Sequence, residues 1–302
     1  MTRFDRTKGR YGIWNIGLVH APISSFLKSG ARHTVNWFPK QKDGWVADPF
    51  FLKIDDKLYV LCEQLVASKR MGRIAYFELR DRDQLSEARP AFEPPHHVSY
   101  PYTFEEDGEV YCVPEATRAG EIALYRISGF PNEWKRIGVI TSFVGSDPTI
   151  IRYDGIWWMF ASAGGEYLST DLYLWYASSL SGPWIAHAAN PVKSDPSASR
   201  PGGTPFMHNN CLYRPAQDCS KTYGGRIVLN RILRLTTTEF EEEMTSVVEP
   251  DPEGPYPDGL HTISACGELT LIDGKRFGYT RIGLIKNKIF EVPVISRLLV
   301  SQ

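Results

Sequence analysis

Five times along this chain a polar residue opens an apolar strand, a tight turn reverses it, and a second strand returns. Ala47-Asp48-Pro49-Phe50-Phe51 turns at Asp55-Asp56 and comes back as Leu58-Tyr59-Val60-Leu61-Cys62-Glu63. Ser99-Tyr100-Pro101-Tyr102 turns at Asp107-Gly108 and returns to Val113-Pro114-Glu115. Ser146-Asp147-Pro148-Thr149 turns at Asp154-Gly155 and returns as Ile156-Trp157-Trp158-Met159-Phe160. Ser199-Arg200-Pro201 leads through Asn209-Asn210 to Leu212-Tyr213-Arg214, and His261-Thr262-Ile263 through Gly267 to Leu269-Thr270-Leu271-Ile272. The openers Asp48, Tyr100, Asp147, Arg200 and His261 are 52, 47, 53 and 61 residues apart. A period of this length, with strands joined by turns in every copy, predicts an all-β chain folded as a five-bladed β-propeller. The blades are expected near 45–82, 97–137, 144–187, 198–240 and 258–290, within one domain spanning 1–302. The last is short of strands, and the N-terminal segment 11–18 is expected to close it, removing an open edge.

The third strands support the repeat independently: Gly72-Arg73-Ile74-Ala75-Tyr76-Phe77 matches Gly120-Glu121-Ile122-Ala123-Leu124-Tyr125. A short helix fits 23–28, and the Pro-rich stretch 250–257 is long enough to be functional or mobile. The stretch 278–300, with Lys286 and Lys288 among apolar residues, reads as closing strands and a tail, with a membrane-surface segment as the alternative. Net charge is −1, which gives no global field toward nucleic acid, and no apolar run is long enough to span a bilayer. The five cysteines form no CxxC pair and the N-terminus has no apolar h-region, so we expect reduced thiols in a cytoplasmic protein.

In a blade the opener and the end of the returning strand lie on one face of the disc. Glu63 and Glu115 stand 15 residues after Asp48 and Tyr100. Asp48, Asp147, Glu63 and Glu115 should therefore converge at one end of the channel, met by Arg200, Arg214 and His261. Asp218, Tyr223 and the histidines His96 and His97 are rim candidates. Paired carboxyl groups suit glycoside chemistry, one protonated and one ionised. Asp before Pro also caps strand entries without any further role. Arginines at such a place can hold an anionic substituent by paired hydrogen bonds, or neutralise the acids. No metal-ligand spacing, phosphate-binding glycine loop or GxSxG elbow stands out, and the sequence names no cofactor.

Two resemblances follow from these motifs. Asp48-Pro49 and Asp147-Pro148 at strand openings, with Gly182-Pro183-Trp184 closing a blade, resemble the five-bladed propeller superfamily of arabinanases, xylosidases, invertases and levansucrases. Trp45-Val46-Ala47-Asp48-Pro49-Phe50, Val113-Pro114-Glu115, Gly145-Ser146-Asp147-Pro148-Thr149, Tyr213-Arg214-Pro215-Ala216-Gln217-Asp218-Cys219 and Gly259-Leu260-His261-Thr262 are similar to the N-terminal domain of plant glucosamine inositolphosphorylceramide transferases. The resemblance implies a propeller with a carbohydrate ligand. In the plant protein the transferase chemistry is attributed to another domain, which this sequence does not contain.

The sequence departs from the glycosidases in one respect: their proton-donating Glu opens an inner strand, and here Arg200 and His261 take those places. The expected reading is a protein acting on a glycan or glycoconjugate, with room for an anionic substituent and for a partner enzyme of a glycan pathway. Asp48 is the candidate base or nucleophile, Glu115 the acid and Asp147 its modulator. Tyr100, Arg200, Arg214, Asp218, His261, Glu63 and His97 are the candidate substrate contacts. A non-catalytic recognition module and a glycosyltransferase are the alternatives.

Overall fold

The computed structural model describes residues 4–5, 9–80, 85–163 and 170–279. They form five antiparallel sheets, arranged as a five-bladed β-propeller. Blade one runs Trp45–Ile54, Lys57–Val66, Met71–Leu79, Arg89–Phe92 from first strand to outer edge. Blade two runs Ser99–Glu106, Glu109–Glu115, Ile122–Gly129, Glu133–Thr141. Blade three runs Gly145–Tyr153, Ile156–Ala163, Asp171–Ala177, and its outer edge is shared by Ile185–Ala186 and Lys193–Ser194. Blade four runs Phe206–His208, Cys211–Asp218, Arg226–Leu235, Phe240–Val248.

Every first hairpin closes over two residues: Ile54 faces Lys57, Glu106 faces Glu109, Tyr153 faces Ile156, His208 faces Cys211 and Cys266 faces Leu269. Such turns need positive φ at their centre, which Asp, Asn and Gly tolerate. Asp55 and Asp56 adopt φ of 47° and 61°, and Asn209 and Asn210 adopt 49° and 59°.

Blade five joins the two ends of the chain. Ile263–Cys266 and Leu269–Tyr279 are followed by Arg10–Val19, which pairs continuously from Arg10 opposite Tyr279 to Val19 opposite Thr270. Phe4–Asp5 is outermost, and Asn36–Trp37 adds a short bridge to Gly17 and Leu18. The N-terminal strand therefore closes the ring, as its apolar pattern predicts.

The outer strands reach further than expected: Arg89–Phe92, Glu133–Thr141 and Phe240–Val248 lie partly or wholly beyond the predicted blade ends. Glu133–Thr141 is exposed over most of its length. An edge strand with solvent on both faces carries no alternation for a sequence to display. The 23–28 helix is a 3-10 segment, Ile23–Leu27, that buries Ile23 and Phe26. The connection 250–257 is pinned down: Tyr256 is buried against Trp37 at 4.6 Å, and Pro257 bridges Lys275. The stretch 278–300, expected as closing strands and a tail, lies outside the described residues from 280 on.

Aromatic wedges fill the seams between blades. Phe50, Tyr100, Tyr102, Trp157 and Trp175 belong to one cluster linking blades one to three. Burying such side chains supplies most of the stabilisation available to small sheets, roughly 25 cal/mol per Å² of apolar surface. None of the five cysteines forms a disulfide, and Cys62, Cys112 and Cys219 are buried. Among the described residues no helix is long and apolar enough to cross a membrane.

Candidate functional site

Three of the five openers share one unusual backbone. Asp48, Tyr100 and Asp147 have φ of 52°, 43° and 53°, a left-handed conformation that costs energy for any residue but glycine. Each precedes a proline, and each sits where the strand ladder skips, between Ala47 and Phe50, Ser99 and Tyr102, and Ser146 and Thr149. A bulge re-aims the side chain at its apex, and proline fits there because the bulge leaves its missing N–H unneeded.

The returning strands present a second ring. Glu63 lies opposite Ala47, Glu115 opposite Ser99 and Ser162 opposite Ser146. In blade four the matching residue is Gln217, whose N–H donates to the Arg200 carbonyl at 2.8 Å. In blade five it is Asp273, whose N–H donates to the Thr262 carbonyl at 3.2 Å. Gln217 and Asp273 are absent from the sequence-based set. They follow their openers by 17 and 12 residues rather than 15, because the strand entries of blades four and five differ in length.

Inside the channel these residues form two linked groups. On the blade-three side the Asp147 Oδ2 accepts from Arg200 Nε at 2.5 Å and from Gln217 Nε2 at 2.6 Å. The Asp147 N–H donates to Glu115 Oε2 at 3.0 Å, and Arg200 comes within 3.6 Å of the same oxygen. On the blade-five side Asp273 accepts the N–H groups of Asp48, His261 and Thr262 at 3.2, 2.8 and 3.1 Å. Its other contact is His261 Nδ1 at 2.5 Å. The Asp48 carboxylate accepts from the Thr262 hydroxyl at 2.9 Å and the Tyr100 N–H at 3.2 Å, with His261 3.7 Å away. At the rim His97 Nδ1 accepts from Gly72 N–H at 2.9 Å, which puts its proton on Nε2, 3.4 Å from Glu63.

Burial and mutual repulsion set the proton affinities. Burial pushes Glu115 up to about 8, with Asp147 adding to the effect and Arg200 opposing it. Burial also raises Asp48 to about 6 against the pull of His261. Glu63 is raised by burial and by Asp48. Burial alone would lower His261, but Asp273 and Asp48 outweigh it and favour the imidazolium. Burial drops His97 to about 4, so it is neutral. Between pH 6 and 8 the channel thus holds a carboxylate at Asp48 and a protonated acid at Glu115.

Asp48, Asp147, Glu63, Glu115, Arg200 and His261 come together as the repeat requires, with His97 beside them. Three expected contacts do not. The Tyr100 side chain is fully buried: its hydroxyl accepts from Gly203 N–H at 2.8 Å and pairs with Thr149 at 3.0 Å. It ties blade two to blade three and to the chain that enters blade four. Arg214 turns away from the axis and pairs with Glu242 through Nε at 2.9 Å and Nη2 at 2.6 Å, because its strand position faces the outer sheet. Asp218 closes a turn, accepting from the Ser220 N–H and hydroxyl at 2.9 and 2.6 Å and from Arg226 at 2.8 Å. Tyr100→Phe should therefore cost about 1–3 kcal/mol in urea unfolding by stranding the Gly203 N–H, and leave ligand affinity unchanged.

Asp48, His261 and Asp273 have ligand-type atoms within 4.8 Å of one another, the one such group of three among the described residues. The 2.5 Å contact between His261 and Asp273 is a hydrogen bond that a cation would have to replace. As it stands the cluster is a His261 ring held between the Asp273 and Asp48 side chains, whose charges favour its protonated form.

Solved structures of similar shape are five-bladed glycoside hydrolases. A thermostable family-43 glycoside hydrolase superposes with a TM-score of 0.57 at 14% identity, over 82% of this chain and 92% of that one. A family 117 glycoside hydrolase from Zobellia galactanivorans gives 0.53 at 16%, over 76% and 84%. An alpha-L-arabinanase mutant of Cellvibrio cellulosa gives 0.53 at 16%, over 79% and 92%. At such identities the likeness concerns the fold alone. In sequence, glucosamine inositolphosphorylceramide transferase 1 of Oryza sativa subsp. japonica is 34% identical over 243 residues, covering 78% of this chain and 31% of the relative. The Arabidopsis thaliana protein of the same name is 32% identical over 227 residues, covering 73% and 29%. The chain thus spans about a third of the length of these relatives. Residues 19–254 match the model described as glucosamine inositolphosphorylceramide transferase 1, N-terminal, and the chain belongs to that family.

Proposed function

We propose that the channel end is a glycan-processing site, with Glu115 as the acid and Asp48 as the base or nucleophile. The observation that carries this reading is the convergence of carboxyl groups from three blades with Arg200 and His261, where burial raises Asp48 to about 6 and Glu115 to about 8. Environments that push two carboxyl groups apart in proton affinity are how acid and base roles are divided. Glu115 protonates the leaving glycosidic oxygen. Asp48, from the neighbouring blade, activates the attacking group or forms the glycosyl bond itself. The charge of Asp147 keeps the Glu115 proton in place, against the opposing pull of the Asp147 backbone N–H on that carboxyl. The name of the relatives supports a glycoconjugate as substrate, and transfer to an acceptor sugar is tested beside hydrolysis.

Arg200 and His261 are each engaged by a carboxylate. With Arg214 turned away, the channel offers an anionic sugar little. We expect uronic acids to bind more weakly than their neutral parents, by about tenfold. The decisive test is Asp48→Asn assayed for cleavage and for transfer to an added acceptor sugar. A fall of about 10²–10⁴-fold supports the reading, and unchanged turnover overturns it.

Recognition without chemistry is the second reading. Both oxygens of Asp48 already accept a hydrogen bond from the fold, which suits a structural anchor. Binding that survives in Asp48→Asn, in a protein that turns nothing over, would select it.

A further inference from the structure

We propose that Tyr223 is a substrate-contacting residue, the aromatic wall on which a sugar ring stacks at the mouth of the channel. The inference rests on the reading of the channel as a glycan site and adds the residue that determines fit there. Tyr223 lies on the loop between two strands of blade four, Cys211–Asp218 and Arg226–Leu235. That loop is built to hold a fixed shape. Asp218 ties its base through Ser220 and Arg226, and the Cys219 N–H donates to the Pro196 carbonyl at 2.9 Å. The Lys275 ammonium donates to the Tyr223 carbonyl. Gly224 adopts φ of 56°, and its carbonyl accepts from the Leu260 N–H at 3.1 Å. A Cβ there would lie 2.8 Å from atoms of both His261 and Trp14, so the loop can press against blade five only with glycine at that point.

The loop sets the ring in a defined place. Tyr223 meets His261 edge-on at 5.5 Å and Trp14 at 6.2 Å, while Trp14 and His261 stack at 3.8 Å behind it. The Arg200 guanidinium stands 5.2 Å from the ring centre. Tyr223 is half-buried, whereas Asp48, Asp147, Arg200 and His261 are 3–7% exposed. It is therefore more open to solvent than those four groups. Arg200 is itself paired with Asp147 at 2.5 Å and lies 3.6 Å from Glu115, so the ring sits beside the groups assigned to chemistry. Burial, with those carboxylates, raises the phenol well above its ordinary range, so it stays a neutral donor. A rigid aromatic face beside a polar cavity matches a pyranose, which has an apolar ring face and a hydroxyl rim.

The test measures binding and turnover separately, on methyl glucopyranoside, N-acetylglucosamine, glucosamine, glucuronic acid and arabinan and xylan oligosaccharides. Tyr223→Ala should weaken binding of the best sugar by about tenfold or more, with Tyr223→Phe retaining most of the affinity because the ring remains. Thermal melting of both variants, and rescue by Tyr223→Trp, separate loss of the wall from loss of fold. Parent-like affinity in a folded Tyr223→Ala protein overturns the proposal. Parent-like turnover in Glu115→Gln with weakened binding in Tyr223→Ala overturns the acid–base reading alone. A panel in which nothing binds the parent protein overturns both.

Discussion

Glu115→Gln should lower glycan turnover by about 10²–10⁴-fold, the usual worth of a positioned general acid. The parent protein should show a bell-shaped profile of kcat/KM, with limbs near pH 6 and pH 8 set by Asp48 and Glu115. The acid limb marks Asp48 taking up the proton that disables it as a base. The alkaline limb marks Glu115 losing the proton it must donate. In the variant the residual rate should lose its alkaline limb. Nitrophenyl glycosides, whose leaving group needs no proton, should suffer far less than natural linkages. A variant that retains full activity on natural glycans, or whose alkaline limb persists, removes Glu115 from the mechanism.

The same substitution should leave the fold intact and, at high pH, make it more stable. The folded-state proton affinity of Glu115 is raised from 4.5 to about 8. Its favourable contribution is therefore complete below pH 4.5 and is lost as the pH rises through 8. Above that point the parent protein holds a charged carboxylate in a dry site. Gln cannot ionise and keeps an oxygen to accept the Asp147 N–H. The Tm of the variant relative to the parent should climb between pH 5 and pH 9, and a flat difference would mean that Glu115 is not buried as a neutral acid. Lost activity joined to gained stability is the signature of a residue held at a cost for its chemistry.

How far the site can be read from the chain depends on what each side chain needs from its neighbours. The openers Asp48 and Asp147 are legible because Asp-Pro recurs at one phase of the repeat, and that phase fixes the direction of the side chain. Glu63 and Glu115 are legible because blades one and two have equal hairpins. Gln217 and Asp273 are hidden because a change in strand-entry length shifts their count without changing their place in space. Tyr100 is misread for a different reason. It occupies an opener position, but its ring is long enough to cross the channel and bond to Gly203, and nothing local records that distance. The closure of blade five by Arg10–Val19 is visible as a missing strand at one end and a surplus strand at the other.

Arg214 shows where a strand-end arginine goes when it does not face the axis, and it carries the largest stability effect expected outside the channel. Its side chain and that of Glu242 are 1% and 2% exposed, and they meet through two parallel hydrogen bonds. Arg214 also donates to the Ala198 carbonyl at 2.6 Å, and Lys193 reaches Glu242 at 2.9 Å. The group thereby fastens the outer strand of blade four to the chain that enters its inner strand. Burial would raise the Glu242 carboxyl, but Arg214 and Lys193 hold it below the usual range. Its contribution is accordingly present above about pH 4.5 and lost as the pH falls through the lowered folded-state value. Removing Arg214 leaves Glu242 charged, dry and held by Lys193 alone. Arg214→Ala should therefore cost about 3–5 kcal/mol in urea unfolding at pH 7. Most of that loss comes from stranding Glu242 rather than from losing attraction. The double variant Arg214→Met with Glu242→Leu should regain much of it, since an apolar pair of similar volume often replaces a buried ion pair without penalty. A double variant no more stable than Arg214→Ala would instead assign the stabilisation to the hydrogen bonds of Arg214 with the backbone of Ala198 and Ser199.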